Sequence, residues 1–234
     1  MAAALRGRGR GAPLPPQLLV RLLSPPRRSV SHVFRAAELQ VELAEGAPAP
    51  PGGAPGPFGR SFTPHMLWVE WSRARGWAPP RIRPLRDLNL HPAACGLHYG
   101  IALFEGLKAF HGADGRVRLF RPELHLERME RSARRLCLPA FDRGELLECI
   151  RALVRVEREW VPRGGGASLY IRPVMLGTEA ALGVSPPAQA LLFAVLSPAG
   201  PYFGGGALSP VRLLADPGHC RAWPGGAGNC KVAG

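Results

Sequence analysis

The segment KAFHGADGRVRLFRP, residues 108–122, is the stretch on which the predicted fold depends. Its two apolar-rich runs, Lys108–Phe110 and Val117–Phe120, are separated by the turn sequence HGADG at 111–115. Two such runs around a glycine-containing turn predict a β-hairpin. Pro122 fits the first position of a helix, because its missing N–H would have no partner there. The segment therefore predicts a hairpin that leads directly into a helix.

The residues downstream of this hairpin predict two amphipathic helices and several strands. The first helix begins at Pro122, and its apolar residues recur at helical spacing, at Leu126, Met129, Ala133 and Leu136. The second begins at Asp142, has Glu145 three residues later as in a capping box, and ends before Pro162. Apolar runs predict strands at 65–71, 168–176, 189–196 and 211–215. Helices interspersed with hairpins predict an α+β fold.

Composition shifts divide the chain into five regions. Ten of the 14 residues from 46 to 59 are glycine or proline, so this connector is expected to hold neither helix nor strand, and the folded body to begin near Phe58. A second Gly-rich stretch follows residue 199. The expected regions are a leader at 1–31, an N-terminal segment with the connector at 32–57, a small α+β domain at 58–199, a linker at 200–209, and the start of a larger domain at 210–234.

The leader carries much of the chain's positive charge. The formal net charge is +13, and the first acidic residue is Glu38, so residues 1–31 contain six arginines and no acid. Arginine-rich, acid-free leaders that contain serine are typical of mitochondrial transit peptides. We therefore expect a mitochondrial matrix protein. A disordered basic tail is the alternative for this segment.

Composition also argues against several classes of protein. A hydrophobic fraction of 46% excludes disorder over the whole length. No apolar run approaches the roughly 20 residues that a bilayer span needs. The five cysteines include no Cys-x-x-Cys pair and no Cys/His metal signature, so no metal site is expected. Because the positive charge is concentrated in the leader, nucleic-acid binding by the folded part is not expected.

Only two lysines, Lys108 and Lys231, are available for chemistry that needs an amine. Lys231 follows the glycine-rich sequence RAWPGGAGNC, residues 221–230. Glycines allow the backbone to approach a planar ligand or a phosphate closely. A desolvated lysine amine near other cations has a lowered pKa and reacts with aldehydes. A pyridoxal phosphate Schiff base needs such an amine, although glycine-rich turns ending in lysine are also common on solvated surfaces.

The sequence also contains six longer motifs: FTPHML at 62–67, LHYGIALFEGLKAF at 97–110, RLFRP at 118–122, LCLP at 136–139, SLYIRP at 168–173 and LGVS at 182–185. Together these motifs resemble those of the mitochondrial branched-chain amino acid aminotransferases, a branch of the fold-type IV pyridoxal phosphate enzymes. The similarity covers nearly everything after the leader. D-amino acid transaminases and aminodeoxychorismate lyases share the lysine chemistry, but the leader and the long motif at 97–110 favour the branched-chain branch.

This resemblance implies roles for individual residues. Lys231 is expected to hold pyridoxal 5′-phosphate and to carry the substrate proton, whereas Lys108 is expected to be structural. Arg128 is expected to bind the cofactor phosphate and Arg221 to lie near the cofactor. The alternative for Arg128 is a solvated basic stripe with Arg131 and Arg135.

The resemblance also implies a substrate pocket and a homodimer. Tyr170 is expected to contact the substrate, and Arg172 to meet the side-chain carboxylate when glutamate or 2-oxoglutarate occupies the site. The walls around leucine, isoleucine and valine side chains are expected to be Phe58, Phe104 and Tyr202. The residues expected to reach the pocket of the neighbouring subunit are Tyr99, Leu182 and Val184.

The expected activity is transfer of the amino group of a branched-chain amino acid to 2-oxoglutarate. The chain ends three residues after Lys231, and the resemblance implies that most of a large cofactor domain follows that lysine in the family. We therefore expect these 234 residues to lack the acid that pairs with the pyridine nitrogen, and to be inactive and prone to aggregate alone. A non-catalytic form that dimerises with or modulates the complete enzyme stays open, as does a basic RNA-associated protein.

Overall fold

A computed structural model describes residues 33–50, 52, 55–164, 166–201 and 210–233. It has the predicted α+β fold, with one large sheet and two long helices packed on it. The predicted transit peptide at 1–31 and most of the predicted linker lie outside these residues. Within the described segments, no helix is long and apolar enough to cross a membrane.

Within the described residues the sheet contains nine strands: β1 Gln40–Val41, β2 His65–Ser72, β3 Gly76–Trp77, β4 Arg81–Pro84, β5 Ala102–Phe104, β6 Leu107–His111, β7 Val117–Leu119, β8 Ser168–Gly177 and β9 Gln189–Ala199. The main path of the sheet runs β1-β4-β2-β9-β8-β6-β7, with β3 also paired to β2 and β5 to β8. The pairs are antiparallel except for β1 with β4. The strands predicted at 65–71, 168–176 and 189–196 and the hairpin around HGADG are therefore confirmed.

In the part of the chain that the structure describes, three α-helices complete the fold: α1 Cys95–Tyr99, α2 Pro122–Arg135 and α3 Arg143–Val156. As predicted, Pro122 opens α2, and the Asp142 carboxylate caps α3 by accepting a hydrogen bond from the Glu145 N–H at 2.9 Å. The apolar stripes of both long helices are buried against one face of the sheet. Leu126 and Met129 of α2 and Ile150 and Leu153 of α3 are at most 1% exposed.

The packed part of the chain reaches further upstream than Phe58. Phe34 is buried and packs edge-on against Trp77, with ring centroids 5.2 Å apart. The Ala36 N–H donates to the Glu145 carboxylate at 2.7 Å, and β1 pairs in parallel with β4. No apolar run in this segment would predict the packing, because only a few of its residues are buried.

The prediction of a strand at 211–215 is wrong. Val211, Leu213 and Leu214 are 53%, 89% and 91% exposed, and no strand of the described chain pairs with them. An isolated strand is unstable in water, since its backbone groups gain no hydrogen-bond partners. The segment nevertheless ends against the sheet, where Val232 forms a single antiparallel bridge with Leu103 of β5.

Candidate functional site

The face of the sheet that lies opposite α2 and α3 carries a set of half-buried polar and aromatic side chains. In β8, Leu169 and Ile171 are fully buried against the helices, whereas Tyr170 and Arg172 are half-buried. Successive side chains of a strand point to opposite faces, so Tyr170 and Arg172 share the face that is turned away from the helices. The register of the strands paired with β8 therefore determines which other side chains lie on this face.

The pairings of β8 with β6 and β5 bring two further predicted residues to this face. Lys108 of β6 is opposite Tyr170, and Phe104 of β5 is opposite Val174. Residues directly opposite in an antiparallel pair point to the same side of the sheet. The sheet thus places Phe104 and Lys108 on the same face as Tyr170 and Arg172.

Four residues form a cluster that we call the aromatic cluster: Phe58, Phe104, Tyr170 and Arg172. The Tyr170 hydroxyl accepts hydrogen bonds from Nε and Nη2 of Arg172 at 3.2 and 3.0 Å. The Arg172 guanidinium carbon lies 4.7 Å from the centre of the Phe104 ring. Phe58 packs edge-on against Tyr170, with centroids 5.0 Å apart. The structure therefore brings four of the expected substrate residues together.

Lys231 lies beside this cluster because its backbone is attached to both β5 and α2. Its carbonyl accepts a hydrogen bond from the Phe104 N–H at 3.2 Å, and its N–H donates to the Ser132 hydroxyl at 2.9 Å. The Ala233 N–H also donates to the Ala102 carbonyl at 2.8 Å. These contacts hold Nζ of Lys231 5.1 Å from the centre of the Phe104 ring.

The surroundings of Lys231 lower the pKa of its amine. Burial is the main factor that lowers the pKa of this amine. The carboxylate of Glu105 raises this pKa, and the positive charges of Arg128 and Arg172 lower it. A lysine with a lowered pKa is suited to attack an aldehyde.

An ion pair between a buried carboxylate and a partly exposed guanidinium lies next to Lys231. Glu105 is 0% exposed, and its carboxylate accepts hydrogen bonds from Nε and Nη2 of Arg128 at 2.5 and 2.8 Å. The Gly106 N–H donates to the same carboxylate at 3.1 Å, and His125 Nδ1 lies 3.1 Å from it. Burial by itself raises the pKa of Glu105, but these hydrogen bonds and the Arg128 charge outweigh it, and the net pKa is lowered. The carboxylate therefore stays ionised and fixes the guanidinium.

The predicted basic stripe on α2 packs against the segment that carries Lys231. Arg131 Nε donates to the Asn229 carbonyl at 3.3 Å, and Arg135 Nη2 donates to the Gly225 carbonyl at 3.0 Å. Arg221 is exposed and donates to the Gly228 carbonyl at 3.1 Å. These three arginines hold the glycine-rich loop in shape.

Two glycines of the site are required by close approach. A Cβ added at Gly228 would collide with the side chain of Ala222, and one added at Gly106 would collide with the Tyr170 hydroxyl. The glycines therefore let the loop fold tightly before Lys231 and let Tyr170 lie over the strand connection.

The other predicted pocket residues lie elsewhere. Tyr99, Leu182 and Val184 are 38%, 65% and 79% exposed, and the Tyr99 hydroxyl donates to the Leu182 carbonyl. Within the described residues, no hydrogen bond or ring contact joins these three to the aromatic cluster. Tyr202 lies outside the described residues.

Sequence reasoning did not single out Glu105 and Ser132. Glu105 is an acid inside an otherwise apolar run, and this pattern is a signal because an unpaired buried carboxylate is very unfavourable. Ser132 is a buried polar residue on the apolar side of α2, where it donates to the Arg128 carbonyl and accepts from Lys231. No spacing rule connects positions 99 residues apart in the chain.

Comparisons with known proteins identify relatives over most of the chain. Residues 102–217 match the family model of class IV amino-transferases. The mitochondrial branched-chain-amino-acid aminotransferase of Rattus norvegicus is 56% identical over 223 residues, which are 95% of this chain and 56% of that protein. The same enzyme of Bos taurus is 58% identical over 89% of this chain and 53% of that protein.

Cytosolic relatives and a solved structure also match. The cytosolic branched-chain-amino-acid aminotransferase of Ovis aries is 54% identical over 86% of this chain and 52% of that protein. A crystal structure of the Escherichia coli branched-chain amino acid aminotransferase is 27% identical, with a TM-score of 0.46 over 60% of this chain and 42% of that one. The chain spans about half the length of the curated relatives it matches. The family match therefore identifies a class IV amino-transferase domain at residues 102–217, and the similarity to branched-chain-amino-acid aminotransferases extends over most of this chain.

Proposed function

We propose that this protein takes part in the transfer of the amino group of leucine, isoleucine or valine to 2-oxoglutarate, with pyridoxal 5′-phosphate bound through Lys231. The observation that carries the proposal is the position of the Lys231 amine. It has a lowered pKa, lies over the Phe104 ring, and has Arg128 and Arg172 as its cationic neighbours. The branched-chain aminotransferases among the relatives support the choice of substrates.

The residues around Lys231 fit this cofactor chemically. The Lys231 amine would bind its aldehyde carbon, and Arg128 would bind its phosphate. Glu105 engages Nε and Nη2 of Arg128, so the Nη1 edge of the guanidinium remains available for a charge-assisted contact with phosphate oxygens. When bound, the cofactor supplies an electron sink that stabilises negative charge at the substrate Cα. Arg221 would support the loop that precedes the lysine.

The residues of this chain would position the substrate and move its proton. Phe58 and Phe104, together with Tyr202, would surround an apolar side chain. Arg172 would bind the side-chain carboxylate of glutamate or 2-oxoglutarate, because a guanidinium matches a carboxylate in charge and geometry. Tyr170 would orient Arg172 through the two hydrogen bonds to its hydroxyl.

Lys231 would act as the base once its amine is free. Its lowered pKa increases the neutral fraction near neutral pH, and the neutral amine can accept a proton from the substrate Cα. The Phe104 ring would limit access of water to this transfer.

The proposal includes a mitochondrial matrix location and a homodimer. Mitochondrial enzymes are among the relatives at the highest identities, and cytosolic forms also match. The exposed side chains of Tyr99, Leu182 and Val184 offer an apolar surface that a second copy would cover.

Borohydride trapping tests the cofactor site directly. The 234-residue protein is incubated with pyridoxal 5′-phosphate, reduced, digested and mapped by mass spectrometry, together with Lys231→Arg and Lys108→Arg variants. We expect the label on residue 231, its loss in Lys231→Arg, and its retention in Lys108→Arg. Label on residue 108, or equal labelling of both lysines, would overturn the assignment. A folded chain that captures no cofactor at either lysine would favour the non-catalytic alternative.

Because the 234 residues alone are expected to be inactive, substrate class is tested by the absorbance of a cofactor-loaded chain that is completed to the length of its relatives. L-Leucine, L-isoleucine and L-valine are expected to shift the absorbance band, whereas D-leucine is expected to leave it unchanged. In the Arg172→Gln variant, the response to L-glutamate is expected to weaken at least tenfold more than the response to L-leucine. Equal weakening of both responses would contradict the assignment of Arg172 to the side-chain carboxylate.

A further inference from the structure

A cleft of about 540 Å³ lies where β7, the start of α2 and the end of α3 meet. It contains none of the residues of the aromatic cluster and not Lys231. Five of its ten lining residues are arginines, and Glu123 is its single acidic residue. The arginines are Arg118, Arg121, Arg151, Arg155 and Arg158.

Intramolecular pairing leaves positive charge in this cleft. Arg118 pairs with Asp114 at 2.7 Å, and both side chains are about half exposed. Arg151 and Arg155 share the one carboxylate of Glu148, at 2.5 and 3.9 Å. Exposed pairs of this kind contribute little to stability, so their arginines can turn to a better anion at small cost.

Two arginines of the cleft, Arg121 and Arg158, are free of any acidic partner within the described residues. Arg121 lies 6.0 Å from the Phe120 ring centre, and its φ of +47° holds it in the left-handed region just before α2. Arg158 follows the end of α3, in the short 3-10 turn Arg158–Trp160. Two guanidinium groups without an acidic partner in one cleft favour binding of a ligand that carries at least two negative charges.

The floor of the cleft is aliphatic rather than polar. Val117 and Leu119 line it from the edge strand β7, and the buried Pro122 and Val154 line it from the two helices. Apolar walls with a few convergent charged groups are typical of small-molecule sites, and cavities of about 300–1,000 Å³ accommodate ligands of drug size. An inorganic anion alone would leave these aliphatic side chains uncovered.

The charges and the floor together indicate the class of ligand. Guanidinium groups match phosphate oxygens in charge and in hydrogen-bond geometry. The lining residues include no aromatic ring on which successive bases of a single strand could stack, and this disfavours nucleic acid. We propose that this cleft binds a nucleoside polyphosphate, with Arg121 and Arg158 on the phosphates and the aliphatic floor against the nucleoside. This inference does not depend on the proposed aminotransferase activity.

Calorimetric titration of the full 234-residue chain tests the cleft. The probes are ATP, adenosine, tripolyphosphate and a short single-stranded oligonucleotide, at fixed salt. We expect ATP to bind at least tenfold more tightly than adenosine and than tripolyphosphate. Adenosine or tripolyphosphate binding as tightly as ATP would overturn the proposal, as would an oligonucleotide binding more tightly than ATP.

A charge-matched pair of variants locates the binding. The cleft variant is Arg121→Asn with Arg158→Gln, since asparagine tolerates the left-handed backbone of residue 121. The control is Arg134→Gln with Arg163→Gln, two exposed arginines outside the cleft. The cleft variant is expected to lose at least tenfold in ATP affinity and the control less than twofold. Equal losses in the two variants would overturn the proposal. Arg158→Gln alone, which leaves α2 intact, is expected to lose at least threefold, and an unchanged affinity would contradict the role of Arg158.

Discussion

At the scale of single residues, Glu105 and Arg128 are unequal partners. Glu105 is completely buried, whereas the Arg128 side chain is 38% exposed and can reach water if the pair is broken. Removing the arginine leaves a buried carboxylate without a cation, whereas removing the carboxylate leaves a guanidinium that water can solvate. Loss of Arg128 should therefore destabilise the fold more than loss of Glu105.

This difference predicts the order of two stability losses at neutral pH. Arg128→Met is expected to lower the free energy of unfolding by about 3–5 kcal/mol, and Glu105→Gln by about 1–3 kcal/mol. Because the pKa of Glu105 is lowered in the folded state, the pair contributes stability above pH ~4.5 and loses it as pH falls through the folded pKa. Urea unfolding at pH ~7 and at pH ~3.5 measures both effects. Equal losses for the two variants would contradict this account. So would a difference in unfolding free energy between variant and wild type that does not become smaller in acid.

The charges around Lys231 predict opposite shifts of its reactivity with pH. Arg172→Gln removes a cation and is expected to raise the pKa of Lys231, so its reaction with an aldehyde needs higher pH. Glu105→Gln removes an anion and is expected to lower that pKa, so the same reaction proceeds at lower pH. The rate of reductive alkylation at residue 231, followed by mass spectrometry against pH, gives both shifts. Labelling of residue 108 in the same samples is the internal control, and shifts of the same sign in both variants would refute the electrostatic explanation.

At the scale of secondary-structure elements, one side chain forms the N-terminal cap of α3. Asp142 accepts the Glu145 N–H, and α3 supplies much of the core that supports the sheet. Asp142→Ala is expected to cost about 1 kcal/mol of stability, measured by urea unfolding. Asp87→Ala, at an exposed position outside the helices, serves as the control and should stay within about 0.5 kcal/mol of the wild type. A cap variant as stable as this control would show that the hydrogen bond contributes nothing.

The attachment of the Lys231 segment to α2 depends on Ser132. Ser132→Ala removes the acceptor of the Lys231 N–H but leaves the carbonyl contact of Lys231 with Phe104 in place. Amide hydrogen exchange at residue 231 is expected to accelerate at least tenfold, because the N–H loses its partner. The Phe104 amide should keep its protection and provides the comparison within the same sample. Unchanged exchange at residue 231 would mean that the segment is held in another way.

At the scale of the whole molecule, exposed apolar side chains collect around α1 and the loop before β9. Leu97, Leu182 and Val184 are 60%, 65% and 79% exposed, close in sequence to the Tyr99–Leu182 hydrogen bond. Burial of such a surface stabilises association by roughly 25 cal/mol per Å² of apolar area. This surface is the part of the described molecule that we expect a second copy to cover.

Charged substitutions on this surface are therefore expected to favour the monomer. Leu182→Asp with Val184→Asp should shift the molar mass from dimer to monomer in light scattering after size exclusion. Leu43→Asp, at a residue that is 63% exposed and lies just after the edge strand β1, should leave the mass unchanged. A wild-type chain that is monomeric at all concentrations would contradict the proposed homodimer.

Local sequence pattern was sufficient to predict those elements that have a clear hydrophobic period, a capping residue or a turn sequence. The stripe of α2, the Asp142 cap and the hairpin around HGADG predict their structures because the stabilising groups are neighbours in the chain. The apolar run at 211–215 has the same local character, yet it forms no strand, since a strand also needs a neighbour that only the fold can provide.

The candidate site also has features that the sequence predicted and features that only the structure shows. The presence of only two lysines and the resemblance of the motifs were enough to predict Lys231, Arg128, Tyr170 and Arg172 from the sequence, because residue type determines which chemistry is available. Only the tertiary structure determined that Ser132 anchors Lys231, that Glu105 fixes Arg128, and that the Tyr99 hydroxyl donates to the Leu182 carbonyl. Sheet register and helix packing set those neighbours, and these depend on burial summed over the whole molecule rather than on any local stretch of residues.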